Sequence, residues 1–287
     1  MLDLFIFQIV NGLVWGLILA LVALGLSLIY GILGIINIAH ASLYMLGAVL
    51  TWTIVQHTDN FWLALAVVPP AIGLFGALVE RVILRRIVSD FNLSILATVG
   101  LLMVLQDAVL AIFGGDLLRV DAPIDGAISL FGIYYPLYRV YVAAAAILLI
   151  GGAWLLLYRT RLGTWIRAVR QDRQMATAIG IPVPLVFAFT VGLGSAMAGL
   201  AGVLAAPIVV VEYQMGLKLL AIAFIIVVVG GFGSLPGSVL AAVVIGCADG
   251  ALTSVMDATQ AKIAVLILMS AFVLWRPEGL LRPQTAR

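Results

Sequence analysis

Runs of about twenty apolar residues recur along the whole chain, and they restrict its fold more than any other feature. A helix of about 20 residues is needed to cross the core of a bilayer. The predicted spans are residues 8–29, 32–55, 61–80, 93–113, 138–158, 185–207, 217–234, 238–256 and 261–275. Hydrophobic residues make up 64 % of the sequence, which excludes an ordinary soluble protein. We therefore predict a single-domain (1–287), all-α, polytopic membrane bundle of about eight or nine transmembrane helices.

The arginines indicate how this bundle is oriented, because loops rich in basic residues stay in the cytoplasm. They cluster at Arg81 to Arg86, at Arg159 to Arg173, and at Arg276, Arg282 and Arg287. The loops between these clusters are acidic or neutral. We expect the N-terminus outside and the C-terminus in the cytoplasm. The first basic residue is Arg81, so a cleaved signal peptide is not expected.

The one long charged segment is residues 159–184, RTRLGTWIRAVRQDRQMATAIGIPVP. Thr164 can cap a helix, Gly180 suits a left-handed C-terminal residue, and Pro182 prevents continuation, so we predict a helix of about four turns. Two faces follow from helical spacing, one with Ile166, Val169, Ala176 and Gly180, the other with Arg167, Arg170, Gln171 and Gln174. The segment is either a basic loop that only sets topology or a docking helix for a cytoplasmic partner.

Small residues and missing motifs restrict the chemistry. Gly12 and Gly16, and the trio Gly194, Ala198 and Gly202, predict close helix packing. The only lysines, Lys218 and Lys262, do not lie in a GxxxxGK[ST] loop, so if ATP drives this protein, another chain must bind it. Residues 230–237, GGFGSLPG, are interpreted as a tight turn or a helix break. The net charge is only +2, and nucleic acid is not an expected partner.

Several polar side chains fall inside the apolar spans. In span 2, Asn37, His40 and Tyr44 would share one face of a helix, with Ser42 nearby. Such a face either lines a path or bonds neighbouring helices. Asp107 and Asp249 are the deepest acids and would suit proton-coupled secondary transport. His40 could serve an intramembrane enzyme, but no carboxylate near it in sequence would orient it. His57 is interpreted as a solvated loop residue, and no metal-site spacing is present.

Three blocks resemble a known family: GLSLIYGILGIINIAHASLYMLGA (25–48), TRLGTWIRAVRQDRQMATAIGI (160–181) and IAFIIVVVGGFGSLPGSVLAAVVIG (222–246). In order and spacing they are similar to the LivH-type permeases of branched-chain amino acid ABC importers in the bacterial inner membrane. The resemblance implies a type II-like permease fold that forms half of a path for leucine, isoleucine and valine. Similar permeases serve urea, short amides or aromatic acids, so the substrate stays open.

The resemblance also implies the partners. They are a homologous LivM-type permease, two cytoplasmic ATPase subunits that hold ATP and Mg, and a periplasmic binding protein. This chain would be non-catalytic and hold no cofactor. Its coupling helix would include Arg167, Arg170, Gln171, Asp172, Arg173, Ala176 and Gly180. A glutamate found before the paired alanines of some other ABC permeases is absent here, because Gln174 and Met175 precede Ala176.

Overall fold

The computed structural model describes residues 2–88, 90–130, 132–276 and 279–281. The described helices are α1 Leu2–Leu33, α2 His40–Thr58, α3 Phe61–Val79, α4 Arg85–Ile87, α5 Phe91–Phe113, α6 Leu137–Arg159, α7 Arg161–Gln171, α8 Arg173–Ala178, α9 Val183–Ala205, α10 Met215–Gly230, α11 Leu235–Thr253 and α12 Ala258–Trp275. A π-helical turn, Glu80–Leu84, joins α3 to α4. The strands β1 Ala127–Leu130 and β2 Ile133–Pro136 form an antiparallel hairpin that the all-α prediction did not include.

Each of the nine predicted spans overlaps one of these helices, which confirms a polytopic helical membrane protein. Among the described residues, seven helices are long and apolar enough to cross a membrane: α1, α3 with its continuation to Ile87, α5, α6, α9, α11 and α12. The α10 helix is apolar but has only 16 residues. The α2 helix has 19 residues and carries more polar side chains. The number of crossings therefore stays a prediction.

The first helix lies at the centre of the bundle. In the most apolar 18-residue segment of α1, 89 % is buried, whereas in the corresponding segments of α5, α6 and α12 only 17 % is buried. A helix that is hydrophobic on every side can be surrounded by protein, and α1 packs against α11, α9 and α6. The α9 helix is the second inner helix, in contact with α1, α2 and α3. The outer helices carry exposed leucines and isoleucines, among them Leu96, Leu148 and Ile267.

Glycines let the inner helices approach closely, as the small-residue patterns predicted. A Cβ atom on Gly16 would lie 2.8 Å from the carbonyl oxygen of Ala242, and one on Gly12 would meet the carbonyl of Gly246. A Cβ atom on Gly194 would lie 2.8 Å from the carbonyl of Gly25. Because apolar side chains meet lipid as readily as they meet each other, this backbone contact supplies much of the packing energy.

The basic segments meet at one end of the bundle. Arg85 donates to the carbonyl of Pro184 over 2.8 Å, and Arg170 donates to the carbonyl of Gly233 over 3.0 Å. The amide of Leu280 donates to Val229 over 2.7 Å and holds the C-terminal segment there. Arg282 and Arg287, also predicted at this end, lie outside the described residues. The clustering agrees with the predicted topology, but which side of the membrane this end faces stays a prediction.

Candidate docking surface and translocation path

The charged segment forms two helices, which corrects the prediction of one continuous helix. Thr160, not Thr164, caps α7 and accepts from the amide of Gly163 over 3.2 Å. Asp172 has an extended backbone and accepts from the amide of Met175 over 2.9 Å, so it ends α7 and caps α8. Aspartate favours this capping position because its carboxylate satisfies an otherwise free amide. The helix axis therefore breaks at Asp172.

The predicted end of the segment is confirmed. Gly180 has a φ of +84°, a left-handed conformation that costs glycine little. The amide of Gly180 bonds to Thr177, and the amide of Ile181 bonds to Ala176, both over 3.0 Å. These two bonds form a Schellman motif, which satisfies the last free carbonyls of α8.

The inner face of α7 and α8 packs on the membrane bundle. Ile166, Val169 and Ala176 are buried, as predicted, and belong to an apolar cluster that includes Leu28, Val186 and Leu84. Gly180 was placed on the same face, but it is exposed. Gly163 is also buried, and a side chain there would meet the carbonyls at the end of α6. The loop is therefore a packed part of the protein.

The three arginines of the predicted coupling helix reach back to this chain, and sequence reasoning had placed two of them on an outward face. Arg167 donates to the carbonyl of Leu157, and its guanidinium lies 5.3 Å from the centre of the Tyr158 ring. Arg170 bonds to Gly233, and Arg173 lies 4.8 Å from the centre of the Phe187 ring. These contacts connect the loop to α6, to the α10–α11 turn and to α9. Contacts of these arginines with a partner stay a prediction.

The three arginines are exposed as well, and they share the outward surface with other side chains. Gln171, Asp172 and Gln174 are exposed, and so are two apolar residues that the sequence analysis did not single out. Met175 is 60 % exposed and Ile179 is 66 % exposed. Ile179 is the residue that caps the end of α8, and its amide bonds to the carbonyl of Met175 four residues earlier, so the two side chains lie on one side of this helix end. The signal was present in the sequence, since both are large apolar residues within the polar loop.

The turn that receives Arg170 is the segment predicted as a turn or break. The α10 helix ends at Gly230, Gly231 and Gly233 have positive φ, and Ser234 caps α11. Beside it lies the basic-end cavity, of about 640 Å³, between α1, α6, α7 and this turn. Ser27 lines this cavity, and its buried hydroxyl has no hydrogen-bond partner among the described residues.

A partly buried ion pair supports the neighbouring loop. Glu80, in the π-helical turn, is fully buried and binds Arg85 through two bonds of 3.0 and 2.7 Å. The same Arg85 reaches Pro184, just after the start of α9. Because the pair is bidentate and Arg85 has a third acceptor, it holds the α3–α5 connection against the end of the α7–α8 loop.

The predicted path face of span 2 is broken. Asn37 lies in the non-helical segment 34–39, and α2 begins only at His40, so Asn37 does not share a helix with His40 and Tyr44. Gly34, with a φ of +69°, ends α1, and the chain then turns back into the bundle. His40 Nε2 lies 3.1 Å from the carbonyl of Val22. The α1 helix continues about eleven residues beyond Val22, which is a rise of about 16 Å. The first residue of α2 therefore lies about 16 Å from the end of α1, inside the bundle.

The four predicted path residues are buried, but they do not share a cavity. Asn37, His40, Ser42 and Tyr44 are each at most 4 % exposed. The Oδ1 atom of Asn37 and the Nδ1 atom of His40 have no partner within the described structure. Tyr44 lines a cavity near α10 and α12, whereas the other three line none of the three main cavities. Their role in a path stays a prediction.

The two candidate acids have different surroundings. Asp107 is exposed on the outer face of α5. Asp249 is half-buried near the end of α11 and lines two adjoining cavities together with Lys262. His57 lies in the last turn of α2, not in a loop, and is exposed as expected. Among the described residues there is no group of three potential metal ligands.

Comparison with known proteins places the whole chain. Residues 8–274 match the family model described as the permease component of the branched-chain amino acid transport system. The chain is 29 % identical to the high-affinity branched-chain amino acid transport system permease protein LivH of Salmonella typhimurium, over 96 % of each protein. It is 29 % identical to BraD of Pseudomonas aeruginosa, over 98 % of this chain and 97 % of that protein.

A more distant relative and the solved structures complete the comparison. The probable branched-chain amino acid transport permease protein LivH of Methanocaldococcus jannaschii is 27 % identical over 94 % of this chain and 90 % of its own length. No solved structure matches the chain. The family match runs through α1 to α12 and includes the α7–α8 loop. This chain therefore belongs to the family of permease components of branched-chain amino acid transport systems.

Proposed function

We propose that this chain is the permease subunit of an ATP-driven importer for branched-chain amino acids, and that it forms half of a path that opens alternately to the two sides. It pairs with a homologous LivM-type permease. Two cytoplasmic ATPase subunits hold ATP and Mg, and a periplasmic binding protein delivers the substrate. The chain itself holds no cofactor and catalyses no covalent reaction. Its N-terminus is periplasmic and its C-terminus cytoplasmic. The names of its relatives support this assignment.

The α7–α8 loop is the observation that carries the proposal. A loop that only set topology would need its charges and little packing. Here the inner face is buried, and the outer tip exposes Met175 and Ile179 beside Gln171 and Gln174. Exposed apolar side chains with a polar rim are typical of protein interaction sites. This tip is the surface that we assign to an ATPase subunit.

The arginines give this surface a mechanical connection. Arg170 joins α7 to the α10–α11 turn, Arg167 joins it to the end of α6, and Arg173 packs on Phe187 of α9. A partner that displaces α8 and the attached α7 therefore also displaces the ends of four membrane helices, α6, α9, α10 and α11. Only contacts that differ between the two states can shift which side of the path is open. The basic-end cavity, which lies between these helix ends, would change shape with them.

Substitutions at the tip test the docking surface. Met175→Glu combined with Ile179→Glu places two charges in the proposed interface, and the complex should then lose its ATPase subunits during purification. Val255→Glu is the matched control, because Val255 is 77 % exposed at the opposite end of the bundle. ATPase subunits that co-purify at wild-type levels with the double variant would contradict the assignment.

Transport in proteoliposomes tests the rest. The complete transporter with its binding protein should take up leucine, isoleucine and valine only when ATP is present on the side of the membrane that carries the ATPase subunits. Preferential uptake of urea, short amides or aromatic acids would change the substrate class. Uptake by this chain alone, driven by a proton gradient, would replace the proposal with proton-coupled transport through Asp107 or Asp249.

A further inference from the structure

Two opposite charges face the same space at the end of the bundle away from α7. Asp249 lies in the last turns of α11, and Lys262 lies in the second turn of α12. Both line a cavity of about 310 Å³, together with the polar residues Gln8, Asn11 and Arg139. Both also line a larger apolar cavity of about 750 Å³. Trp15 of α1 borders both cavities as well, so they adjoin.

Asp249 and Lys262 have no direct bond, although they lie close enough for the charge of Lys262, which is exposed, to act on the half-buried Asp249 carboxylate. In the described parts of the chain, the side chains of Asp249 and Lys262 make no ion pair within 4.0 Å and no hydrogen bond. The other charged side chains beside these cavities each make a direct bond within the protein. Lys218 binds Glu212 at 2.5 Å, and Arg139 donates to the side chain of Asn11. A half-buried carboxylate without a partner is costly, and a ligand that brings the opposite charge would offset that cost.

The wall of the larger cavity indicates what the rest of the ligand is. Beyond Asp249 and Lys262 it is mainly aliphatic and thioether, lined by Leu19, Ile222, Ile245, Val265, Leu266 and Met269. Its volume lies within the range of about 300–1,000 Å³ that is usual for small-molecule sites. An aliphatic chain of four or five carbons would bury its apolar surface there.

We infer that the cleft between α1, α10, α11 and α12 binds the free zwitterion of an aliphatic amino acid, with the ammonium on Asp249, the carboxylate on Lys262 and the side chain in the apolar cavity. The inference rests on the proposed function, since it names the place where this chain meets the transported amino acid. Both head-group contacts are charge-assisted hydrogen bonds, which are stronger than neutral ones. Arg139 also lines the smaller cavity and contributes positive potential.

Ligands that lack one charge test each contact separately. The purified complete transporter, without its binding protein, is incubated with L-leucine, with 4-methylpentanoate, which lacks the ammonium, and with 3-methylbutylamine, which lacks the carboxylate. We expect wild type to bind leucine about tenfold more tightly than either analogue, because each analogue leaves one charge of the site unpaired.

Variants then assign the contacts. Asp249→Asn should lower the affinity for leucine about tenfold. It should change the affinity for 4-methylpentanoate by no more than about twofold, because that analogue has no ammonium to pair with the Asp249 carboxylate. Lys262→Met should weaken leucine and leave 3-methylbutylamine unchanged. Asp107→Asn is the matched control, since Asp107 is exposed on α5 and lines neither cavity, and it should bind all three ligands as wild type does.

Three results would overturn the inference. They are the absence of leucine binding to wild type, equal binding of leucine and its analogues, or a loss in Asp249→Asn that affects all three ligands alike, as expected if Asp249 has only a structural role. ATP-dependent uptake by wild-type proteoliposomes separates this outcome from failure of the proposed function. If uptake persists but leucine and its analogues bind equally, only the inferred binding site is contradicted. If branched-chain amino acids are not taken up at all, the proposed function is contradicted.

Discussion

Replacing Arg170 with methionine tests whether the loop helix drives the membrane helices through this side chain. The variant keeps most of the apolar stem and removes the bond from the guanidinium to the carbonyl of Gly233, which is 3.0 Å long. Hydrogen bonds to charged groups contribute about 1.5–3 kcal/mol. Arg170 is exposed on its outer side, so we take the lower end, about 1.5 kcal/mol, for this bond.

A change of about 1.4 kcal/mol shifts an equilibrium about tenfold. The α7 helix of the variant would therefore be separated from the α10–α11 turn about ten times more often. In some cycles of ATP hydrolysis the ATPase would then move α8 without moving α11. The assay is the number of leucine molecules imported per ATP hydrolysed in proteoliposomes. We expect this ratio to fall severalfold, while ATP hydrolysis and the amount of bound ATPase stay near wild type.

Arg161→Met is the control for this experiment, because Arg161 starts the same helix and makes no hydrogen bond among the described residues. It removes the same charge without removing the connection. An unchanged ratio in Arg170→Met would refute the reasoning. An equal fall in both variants would show that the positive charge matters and the bond does not.

Two further predictions concern packing and capping. Gly246→Val should destabilise the purified protein in a thermal unfolding assay, because the added Cβ atom would meet the backbone of Gly12 and Gly16, whereas Gly151→Val, where the structure has open space, should leave the unfolding temperature unchanged. Asp172→Ala should lose about 1 kcal/mol of α8 stability through the missing N-cap, and Asp172→Asn should keep it. Faster hydrogen exchange at the amide of Met175 in the alanine variant alone would confirm the cap, and equal exchange in both variants would contradict it.

Helices, turns and glycine conformations that depend on neighbouring residues are predicted correctly from the sequence. Each of the nine predicted spans overlaps a helix, Gly180 is left-handed, and residues 231–234 form the turn between α10 and α11. The small residues at Gly12 and Gly16 face another backbone, as their spacing predicted. Each of these features follows from chain length, from backbone freedom at one glycine, or from spacing along one helix.

The predictions fail at helix boundaries and side-chain contacts that depend on residues distant in sequence. Periodicity extended the helix of span 2 back through Asn37, but Gly34 turns the chain inward and α2 starts at His40. Thr164 looked like a helix cap, yet Thr160 and Asp172 cap the two helices that form. Helical spacing placed Arg167 and Arg170 on an outward face, and both are exposed, but it did not predict that their guanidinium groups also reach acceptors on this chain.

The sequence by itself therefore determined that this is a helical membrane protein with one packed, charged loop, because bilayer thickness and local capping act on contiguous residues. Only the tertiary structure decided that α1 is the central helix, that Arg170 meets Gly233, and that Asp249 and Lys262 face one cleft. In a lipid-embedded bundle an apolar residue suits lipid as well as it suits a neighbouring helix. Hydrophobicity alone therefore does not indicate which face turns inward, and the helix arrangement has to supply that information.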